Sequence, residues 1–388
     1  MFYSMLRDRR LLVLLAAGSL TTMAGGVVAP ILPEMVQELN IKPELAGILV
    51  SMHCLTIALF SPPLGILADR VGKLRVLIIS LILYALFGVP GAWMQGFWPL
   101  LVMRGLLGAA SGGIAAASLG LMGNMYEGKE RSQALALATT VLTIAGITDP
   151  LLGGWVGASR WQYTFYLYGL GLPLALLVAA TLKEQQPTQP KSAATNPIAD
   201  LTKVLGQHHA LKLLIALGLN SVAMYAVVIY APLYLQSTIG AGPVVNGIVL
   251  ASRAIGAAGV SAFGTAHLVQ LLGAMPATAV GFGIMALTLA TIPLLHQFIW
   301  IMLTAILFGV GFGIVLPSLY SALANIAPSE LRSSVLAAGT GVGFLGQFLS
   351  PILLGPVLGY SGLEGVFYAA GGVALLTGLF LFAPTRHQ

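Results

Sequence analysis

Apolar runs of about 20 residues recur along this chain, and each is long enough to cross roughly 30 Å of hydrocarbon as a helix. We count twelve of them between Leu11 and the C-terminus. Hydrophobic residues make up 57% of the chain and charged residues 8%, which leaves too little polar surface for a water-soluble domain. No strand-type alternation accompanies the runs, so a helix bundle is favoured over a β-barrel. The chain is predicted to be an all-α membrane protein with twelve transmembrane helices.

The first apolar run also resembles a secretory signal peptide, because it follows the basic segment MLRDRR. The run continues past Gly26 to Pro33 and further spans follow, so we predict a first transmembrane helix instead. Twelve spans place both termini on one side of the membrane. The predicted spans are 10–36, 45–68, 75–93, 98–123, 133–156, 162–182, 210–236, 245–269, 273–294, 299–323, 332–357 and 364–382.

The positions of the basic residues predict the orientation. Of the 18 Lys and Arg residues, 14 fall on the side of the termini, two on the opposite side (Lys42, Arg160) and two within spans (Arg104, Arg253). Cytoplasmic loops carry an excess of Lys and Arg, so both termini are predicted to be cytoplasmic in a multi-pass protein of the inner (plasma) membrane. The same distribution argues against nucleic-acid binding, which the net charge of +6 would otherwise suggest.

A polar, proline-containing segment at 184–208 separates six spans from six, and we predict that it is a cytoplasmic linker. The flanking halves, 1–183 and 209–388, repeat two patterns: VAPILPEM matches IYAPLYLQ, and EGKERSQALAL matches PSELRSSVLAA. A parallel repeat of two six-helix halves is typical of transporters that bind substrate between the halves.

Three motifs resemble those of the major facilitator superfamily. The segment GILADRVGKLR, Gly65 to Arg75, is similar to the loop signature between helices two and three of that family, and Arg104 with Gly108 is similar to its fourth-helix signature. Pro150, Gly153 and Gly154 match part of the fifth-helix GPxxGG signature of the drug:proton antiporter branch, although Asp149 stands where that branch has Gly. The resemblance covers the whole chain and implies the major facilitator fold.

The loop motif has a physical interpretation of its own, and its candidate gating residues are Gly65, Asp69, Arg70, Gly72, Lys73 and Arg75. Gly72 permits a tight turn, and the three basic residues hold the loop in the cytoplasm. Asp69 lies at the membrane boundary, where it can face the positive N-terminal end of a neighbouring helix. The resemblance implies that this neighbour is the eleventh helix and that the contact favours the outward-facing state. The alternative is a solvated, positively charged loop without a gating role.

Asp149 is the one acid of twelve that we place inside the membrane. A charge at that depth costs about 2.5 to 3.5 kcal/mol on insertion scales, so its default interpretation is functional. The cations at a similar depth are Arg104 and Arg253, with His53 beside them, each about 11 to 12 Å from the outer end of its span. We predict that Asp149 takes part in proton coupling or substrate contact and that it pairs with Arg253 across the two halves.

Structural roles remain open for the same residues. Asp149 could belong to a static pair between helices, Arg104 could satisfy backbone carbonyls, and His53 could serve packing alone. Further candidates for lining a cavity are Thr21, Asn220, Tyr225, Tyr230 and Gln347, although a Tyr on a membrane helix can equally be an interface anchor.

The sequence predicts no cofactor and no metal site. Cys54 is the single cysteine and lies in an apolar span, which excludes a disulfide framework and a cysteine-based metal site. The GxGxxG within GTGVGFLG, 339–346, lies inside a membrane span with no strand before it, so we interpret its glycines as positions of close helix packing.

These observations predict a secondary transporter that works by alternating access and exports small organic or lipophilic molecules in exchange for protons. The first alternative is an importer or facilitator of an organic anion, with Arg104 and Arg253 binding the substrate charge. The second is a membrane sensor or scaffold that does not transport. An enzyme is disfavoured, because the chain has no HExxH and no nucleophile with its base. The expected partners are a small-molecule substrate, protons and membrane lipid, and the protein is expected to be a monomer.

Overall fold

The computed structural model describes residues 7–183, 197–328 and 331–382 of the chain. Within these residues the secondary structure consists of helices, without a strand. The helices long and apolar enough to span a membrane are α1 (Arg9–Glu38), α2 (Pro43–Val71), α3 (Lys73–Trp93), α4 (Phe97–Met125), α5 (Gly128–Gly157), α6 (Tyr163–Thr181), α7 (His208–Ile239), α8 (Pro243–Phe263), α9 (Ala274–Leu294), α10 (Phe298–Ile326) and the stretch Arg332–Leu381.

The last stretch contains two helices. Gly362 has φ 67° and ψ −170°, a non-helical conformation that ends α11 (332–361) and begins α12 (363–381). A positive φ is strained for residues with a Cβ, so glycine is the residue type that such a junction requires. The predicted all-α fold with twelve transmembrane helices is thereby confirmed.

The helix α1 is interrupted toward its C-terminal end. It runs regularly over Arg9–Gly26, continues as a 3₁₀ turn at Ala29–Ile31 and resumes as Leu32–Glu38. Proline at position 30 has no amide hydrogen to donate, so the regular ladder cannot continue through it. The interruption leaves backbone carbonyls of the preceding turn available to other donors.

Two segments differ from the sequence-based spans. The predicted eighth span, 245–269, ends earlier, because α8 stops at Phe263 and a separate helix, Thr265–Leu272, begins after Gly264. The predicted linker 184–208 contains a helix at Pro197–Leu205, which packs against α7 and against the stretch that holds α11 and α12.

The described helices form two compact units. The first contains α1–α6 together with Gly242–Ile248, and the second contains α7, the rest of α8 and α9–α12. In the first unit α4 packs against α2 and α3, and α1 packs against α4 and α5. In the second unit α7 packs against the stretch that holds α11 and α12, and α9 packs against α10. The domain boundaries given above stay a prediction.

Candidate functional site

Arg104 of α4 is held by hydrogen bonds to three backbone carbonyls and one hydroxyl, and it is only 1% exposed. Its Nε donates to the carbonyl of Leu49 at 3.3 Å and its Nη2 to that of Val50 at 3.1 Å. Its Nη1 donates to the carbonyl of Ala24 and, at 3.0 Å, to the hydroxyl of Tyr168. The planar guanidinium presents several donors in fixed directions, so one side chain links α1, α2 and α6 to α4.

The carbonyl of Ala24 belongs to the last regular turn of α1. The amide of Val28, which would reach it in a continuous helix, instead donates to Gly25 at 3.3 Å. The Tyr168 hydroxyl also donates to this carbonyl, at 3.1 Å. The interruption of α1 therefore creates an acceptor that Arg104 and Tyr168 share.

His53 of α2 contacts Arg104 within this group. Its Nδ1 lies 2.7 Å from the Val50 carbonyl and 3.1 Å from Nη2 of Arg104, and its Nε2 lies 3.4 Å from Sγ of Cys54. An Nδ1–H that donates to Val50, with the Cys54 thiol donating to Nε2, satisfies both ring nitrogens of a neutral imidazole. A protonated His53 would place a second positive charge beside the guanidinium, which Coulomb repulsion disfavours.

Asp149 of α5 is 3% exposed and contacts the same region of α1 from another side. Its Oδ2 accepts a hydrogen bond from the hydroxyl of Thr22 at 2.8 Å, and that hydroxyl also lies 2.7 Å from the carbonyl of Ser19. A Cβ on Gly26 would lie 2.7 Å from Cβ of Asp149, so the absence of a side chain there lets α5 approach α1. Within its own unit Asp149 forms no ion pair with a described residue, because Arg104 donates to carbonyls and to Tyr168 instead.

The fifth-helix motif lies at two close approaches within the first unit. A Cβ on Gly153 would overlap the backbone of Val27, and a Cβ on Gly154 would overlap the carbonyl of Pro243. Pro150 lies in the same turn as Asp149, and its carbonyl would overlap a Cβ on Gly247. The three motif residues are thus packing positions in a tightly fitted part of α5.

A residue that the sequence analysis did not single out lies beside this motif. Asn246 is fully buried and donates from Nδ2 to the carbonyl of Pro30 at 3.1 Å, inside the first unit. Pro30 belongs to the 3₁₀ turn of α1, and Asn246 to the first turns of α8. In the sequence, Asn246 could have been recognised only as an amide side chain within an otherwise apolar run.

Arg253 and four of the cavity-lining candidates belong to the second unit. The Nε of Arg253 is buried and has no hydrogen-bond partner among the described residues. Asn220 and Tyr230 are fully buried, and the amide of the first and the hydroxyl of the second likewise have no described partner. Tyr225 is buried and Gln347 is half-buried. Asp149 and Arg253 lie in different units, and their pairing stays a prediction.

The candidate gating loop joins α2 to α3 by a turn at Gly72, whose φ is 110°. Asp69 and Lys73 form an ion pair across this turn, with Nζ 3.1 Å from Oδ1, and Nζ also donates to Oδ1 of Asn124 at 3.2 Å. The other loop residues, Arg70 and Arg75, are exposed, and Gly65 is half-buried on α2. The side chain of Asp69 is 67% exposed, so the pair contributes little to stability.

The family model of the Major Facilitator Superfamily matches residues 14–351. The chain belongs to this superfamily. It is a multi-pass membrane transporter, as the sequence motifs implied.

Several curated members of the superfamily are similar over most of the chain. The "Probable 4-methylmuconolactone transporter" of Cupriavidus pinatubonensis is 24% identical, over 92% of this chain and 86% of its own. The quinolone resistance protein NorA of Staphylococcus aureus is 22% identical, over 94% and 93%. The multidrug resistance protein MdtG of Salmonella arizonae is 31% identical over 40% of each chain.

Solved structures share the fold. The nucleoside transporter NupG superposes with a TM-score of 0.80 at 14% identity, covering 96% of this chain and 99% of its own. A bacterial homologue of the human lysosomal transporter Spinster superposes with a TM-score of 0.73 at 16% identity, covering 97% and 95%. At this level of identity the likeness shows the fold alone.

Three residues that complete the polar site of this superfamily member were missed by sequence reasoning: Thr22, Tyr84 and Tyr168. The Tyr84 hydroxyl donates to the carbonyl of Leu20 at 2.7 Å, and its ring meets that of Tyr168 edge to face at 5.5 Å. Both tyrosines are fully buried rather than interfacial. A hydroxyl-bearing side chain in an apolar span was the available signal, and it does not reveal the partner.

Proposed function

We propose that this transporter exchanges protons for small organic or lipophilic molecules by alternating access, and that Asp149 carries the proton. In the same proposal the protein works as a monomer in the inner membrane, surrounded by lipid, with both termini in the cytoplasm and with net transport directed outward. The positive-inside charge distribution supports this orientation.

The hydrogen bond between Thr22 and Asp149 carries the proposal. When Asp149 is ionised, the Thr22 hydroxyl donates to Oδ2 at 2.8 Å. When Asp149 is protonated, the carboxyl O–H can donate to the Thr22 oxygen, while the Thr22 hydrogen turns to the Ser19 carbonyl at 2.7 Å. The hydrogen bond between Thr22 and Asp149 can therefore form in either protonation state, which favours a residue that gains and loses a proton.

The neighbouring titratable group is less suited to this task. Nδ1 of His53 is hydrogen-bonded to the Val50 carbonyl and lies 3.1 Å from Nη2 of Arg104. The guanidinium therefore opposes a second positive charge on His53. Arg104 is fixed by hydrogen bonds to backbone carbonyls and to the hydroxyl of Tyr168. Among these three residues we therefore assign the proton to Asp149 and a positioning role to Arg104.

The names of the relatives support organic substrates. NorA is named for quinolone resistance and MdtG for multidrug resistance, and a further relative is named for a methyl-substituted lactone. These names favour an exporter of organic compounds for this chain.

Transport by purified protein in proteoliposomes tests the proposal. Asp149→Asn keeps a group that can bond to Thr22 but cannot release a proton, so we expect substrate exchange down a gradient to continue and accumulation driven by a pH gradient to be abolished. Thr22→Ser keeps the hydroxyl and should behave like the wild type, whereas Thr22→Val should alter the pH dependence of transport. Accumulation by Asp149→Asn at the wild-type rate would show that the proton is carried elsewhere.

A second candidate function is transport of an organic anion. The buried Nε of Arg253 has no hydrogen-bond partner among the described residues, and an arginine N–H donor suits a carboxylate. This candidate predicts that Arg253→Gln abolishes uptake of organic acids, while Asp149→Asn leaves it unchanged. The reverse pattern would favour the proton-coupled exporter.

A further inference from the structure

A small cavity lies between α1, α4 and α5 inside the first unit. Its volume is about 50 Å³, and its lining includes Gly18 and Thr21 of α1, Ser118 of α4 and Leu142 of α5. One water-sized sphere needs about 10–15 Å³, so the space admits a group of about three to five heavy atoms. The cavity is distinct from the hydrogen-bonded group around Arg104, which shares no residue with it.

The two hydroxyls in the lining already have acceptors on their own helices. Thr21 donates to the carbonyl of Gly18 at 2.7 Å, and Ser118 donates to that of Ala115 at 3.3 Å. The remaining lining is aliphatic or thioether surface. An ordered water needs two to four polar partners, so this cavity is better suited to an apolar occupant than to water.

Gly18 limits the size of this cavity. A Cβ added at Gly18 would have Oγ of Ser118 as its nearest neighbour, at 3.6 Å, which is ordinary contact. Alanine therefore fits at this position without a clash and fills part of the space with a methyl group. Leu142 of α5 also lines the cavity and is half-buried, so its truncation would enlarge the cavity.

The cavity adjoins the proposed proton carrier through consecutive residues of α1. Thr21 lines the cavity, and Thr22 donates to Asp149 at 2.8 Å. A group seated against Gly18 and Thr21 therefore contacts the helical turn that holds the carboxylate. Occupation of the cavity and protonation of Asp149 would therefore both affect the turn of α1 that contains Thr21 and Thr22.

We infer that this cavity binds an apolar substituent of the transported molecule, a branched alkyl group or the edge of an aromatic ring, and that Gly18 sets the largest substituent accepted. The inference rests on the proposed function for its link to transport, because the substrate is the molecule that carries the substituent. It names the chemical class of the bound group, which the proton-coupling proposal does not.

Equilibrium binding of neutral 4-alkylphenols, from phenol to 4-butylphenol, to protein in lipid nanodiscs tests the inference. Each buried methylene should strengthen binding by about threefold to fourfold until the cavity is full. Gly18→Ala should end this increase at least one carbon earlier, and Leu142→Ala should extend it to longer chains. Partition of the probes into lipid is the same for all variants and cancels in the comparison.

Gly169→Ala is the matched control, because a Cβ there would also meet its nearest neighbour, Cγ2 of Val89, at 3.6 Å, but away from the cavity. It should keep the wild-type series. The measurement needs no proton gradient, so a failure of proton coupling leaves it unaffected. If affinity depends on alkyl length in the same way in the wild type, Gly18→Ala and Leu142→Ala, the inference is overturned. That result would leave the proton-coupling proposal untouched.

Discussion

The hydroxyl of Tyr168 accepts a hydrogen bond from Nη1 of Arg104 at 3.0 Å and donates its own hydrogen to the carbonyl of Ala24 at 3.1 Å. This relation joins α6, α4 and the interrupted end of α1 through one hydroxyl. Every polar atom in it is buried, so the loss of one member leaves the others without replacement by water.

Substitutions at these two residues should separate the contributions of the guanidinium and the hydroxyl. Tyr168→Phe should lower the free energy of unfolding by about 1 kcal/mol, because it removes one hydrogen-bonding group. Arg104→Lys should lower it by about 3 kcal/mol, because a single ammonium cannot reach the carbonyls of both α1 and α2. Chemical unfolding in mixed micelles measures both. Arg70→Lys on the exposed loop is the control and should leave the free energy of unfolding unchanged. An unchanged free energy of unfolding in Arg104→Lys would contradict the anchoring role.

Two glycines of α5 offer a paired test of helix packing. Gly153→Ala should destabilise the protein by about 1 to 3 kcal/mol, because its Cβ would overlap the backbone of Val27, which cannot move aside as a side chain can. Gly146→Ala, on the same helix with no neighbour within 4 Å, should be neutral or stabilise by up to about 1 kcal/mol. Equal melting temperatures for the two variants would show that the close approach of α5 to α1 is not maintained in the membrane.

The ion pair between Asp69 and Lys73 allows the gating role of the loop to be distinguished from a local contact. If Asp69 acts through the end of a neighbouring helix, Asp69→Asn should shift the equilibrium from the outward-facing toward the inward-facing state by about 0.3 to 1 kcal/mol. Relative accessibility from the two sides should then change by roughly twofold to fivefold. Lys73→Gln removes the ion pair with Asp69 and alters the contact with Asn124, and it should change accessibility little, because a pair with an exposed carboxylate contributes little. Reporter cysteines on each face, in a Cys54→Ser background, measure the shift by labelling. The same shift in both variants would assign the effect to the ion pair.

Asp8 should make the stability of α1 depend on pH. It caps the helix by accepting from the Arg10 amide at 2.9 Å, and it accepts from the Tyr126 hydroxyl at 2.8 Å. Partial burial raises the pKa of Asp8, but the hydrogen bonds from Tyr126 and Arg10 outweigh it, so the pKa lies below its ordinary value. The stabilisation by Asp8 is therefore complete above its pKa in the unfolded state, about 3.9. It is lost as the pH falls through the lower pKa of the folded state.

Tyr126→Phe tests this dependence. The variant should unfold more easily than the wild type at pH 7, by about 1 kcal/mol, and the difference should shrink in the acidic range where Asp8 becomes protonated. Asp8→Asn retains an N-cap oxygen and provides the control, since its stability relative to Asp8→Ala should not depend on pH. A constant difference between Tyr126→Phe and wild type from pH 7 to pH 3 would refute the assigned role of the carboxylate.

The twelve helices could be predicted closely from the sequence. The sixth predicted span, 162–182, corresponds to Tyr163–Thr181, and the tenth, 299–323, to Phe298–Ile326. The reason is that a chain segment in hydrocarbon must satisfy its own backbone hydrogen bonds, so length and apolar composition specify the helix locally. The eighth span was less accurate, because the apolar run passes through Gly264 while the helix ends at Phe263.

The chemistry-bearing residues could also be found from the sequence, because charges in apolar spans are few. Asp149, Arg104 and His53 were all identified in this way, and all three are buried. Their partners could not be found. Thr22 is 127 residues from Asp149 and Tyr168 is 64 residues from Arg104, and neither hydroxyl differs in the sequence from the many that bond to their own helix.

The sequence by itself therefore determined the membrane location, the helix count, the superfamily and the identity of the buried charges, since each follows from local composition or from short motifs. The tertiary structure decided that Arg104 holds backbone carbonyls, that Asp149 meets Thr22, and that a cavity remains beside Thr21. These depend on which turn of α1 faces α4 and which faces α5. That register is set by close approaches such as Gly153 against Val27, and by the interruption of α1 at Pro30, which frees the acceptor that Arg104 binds.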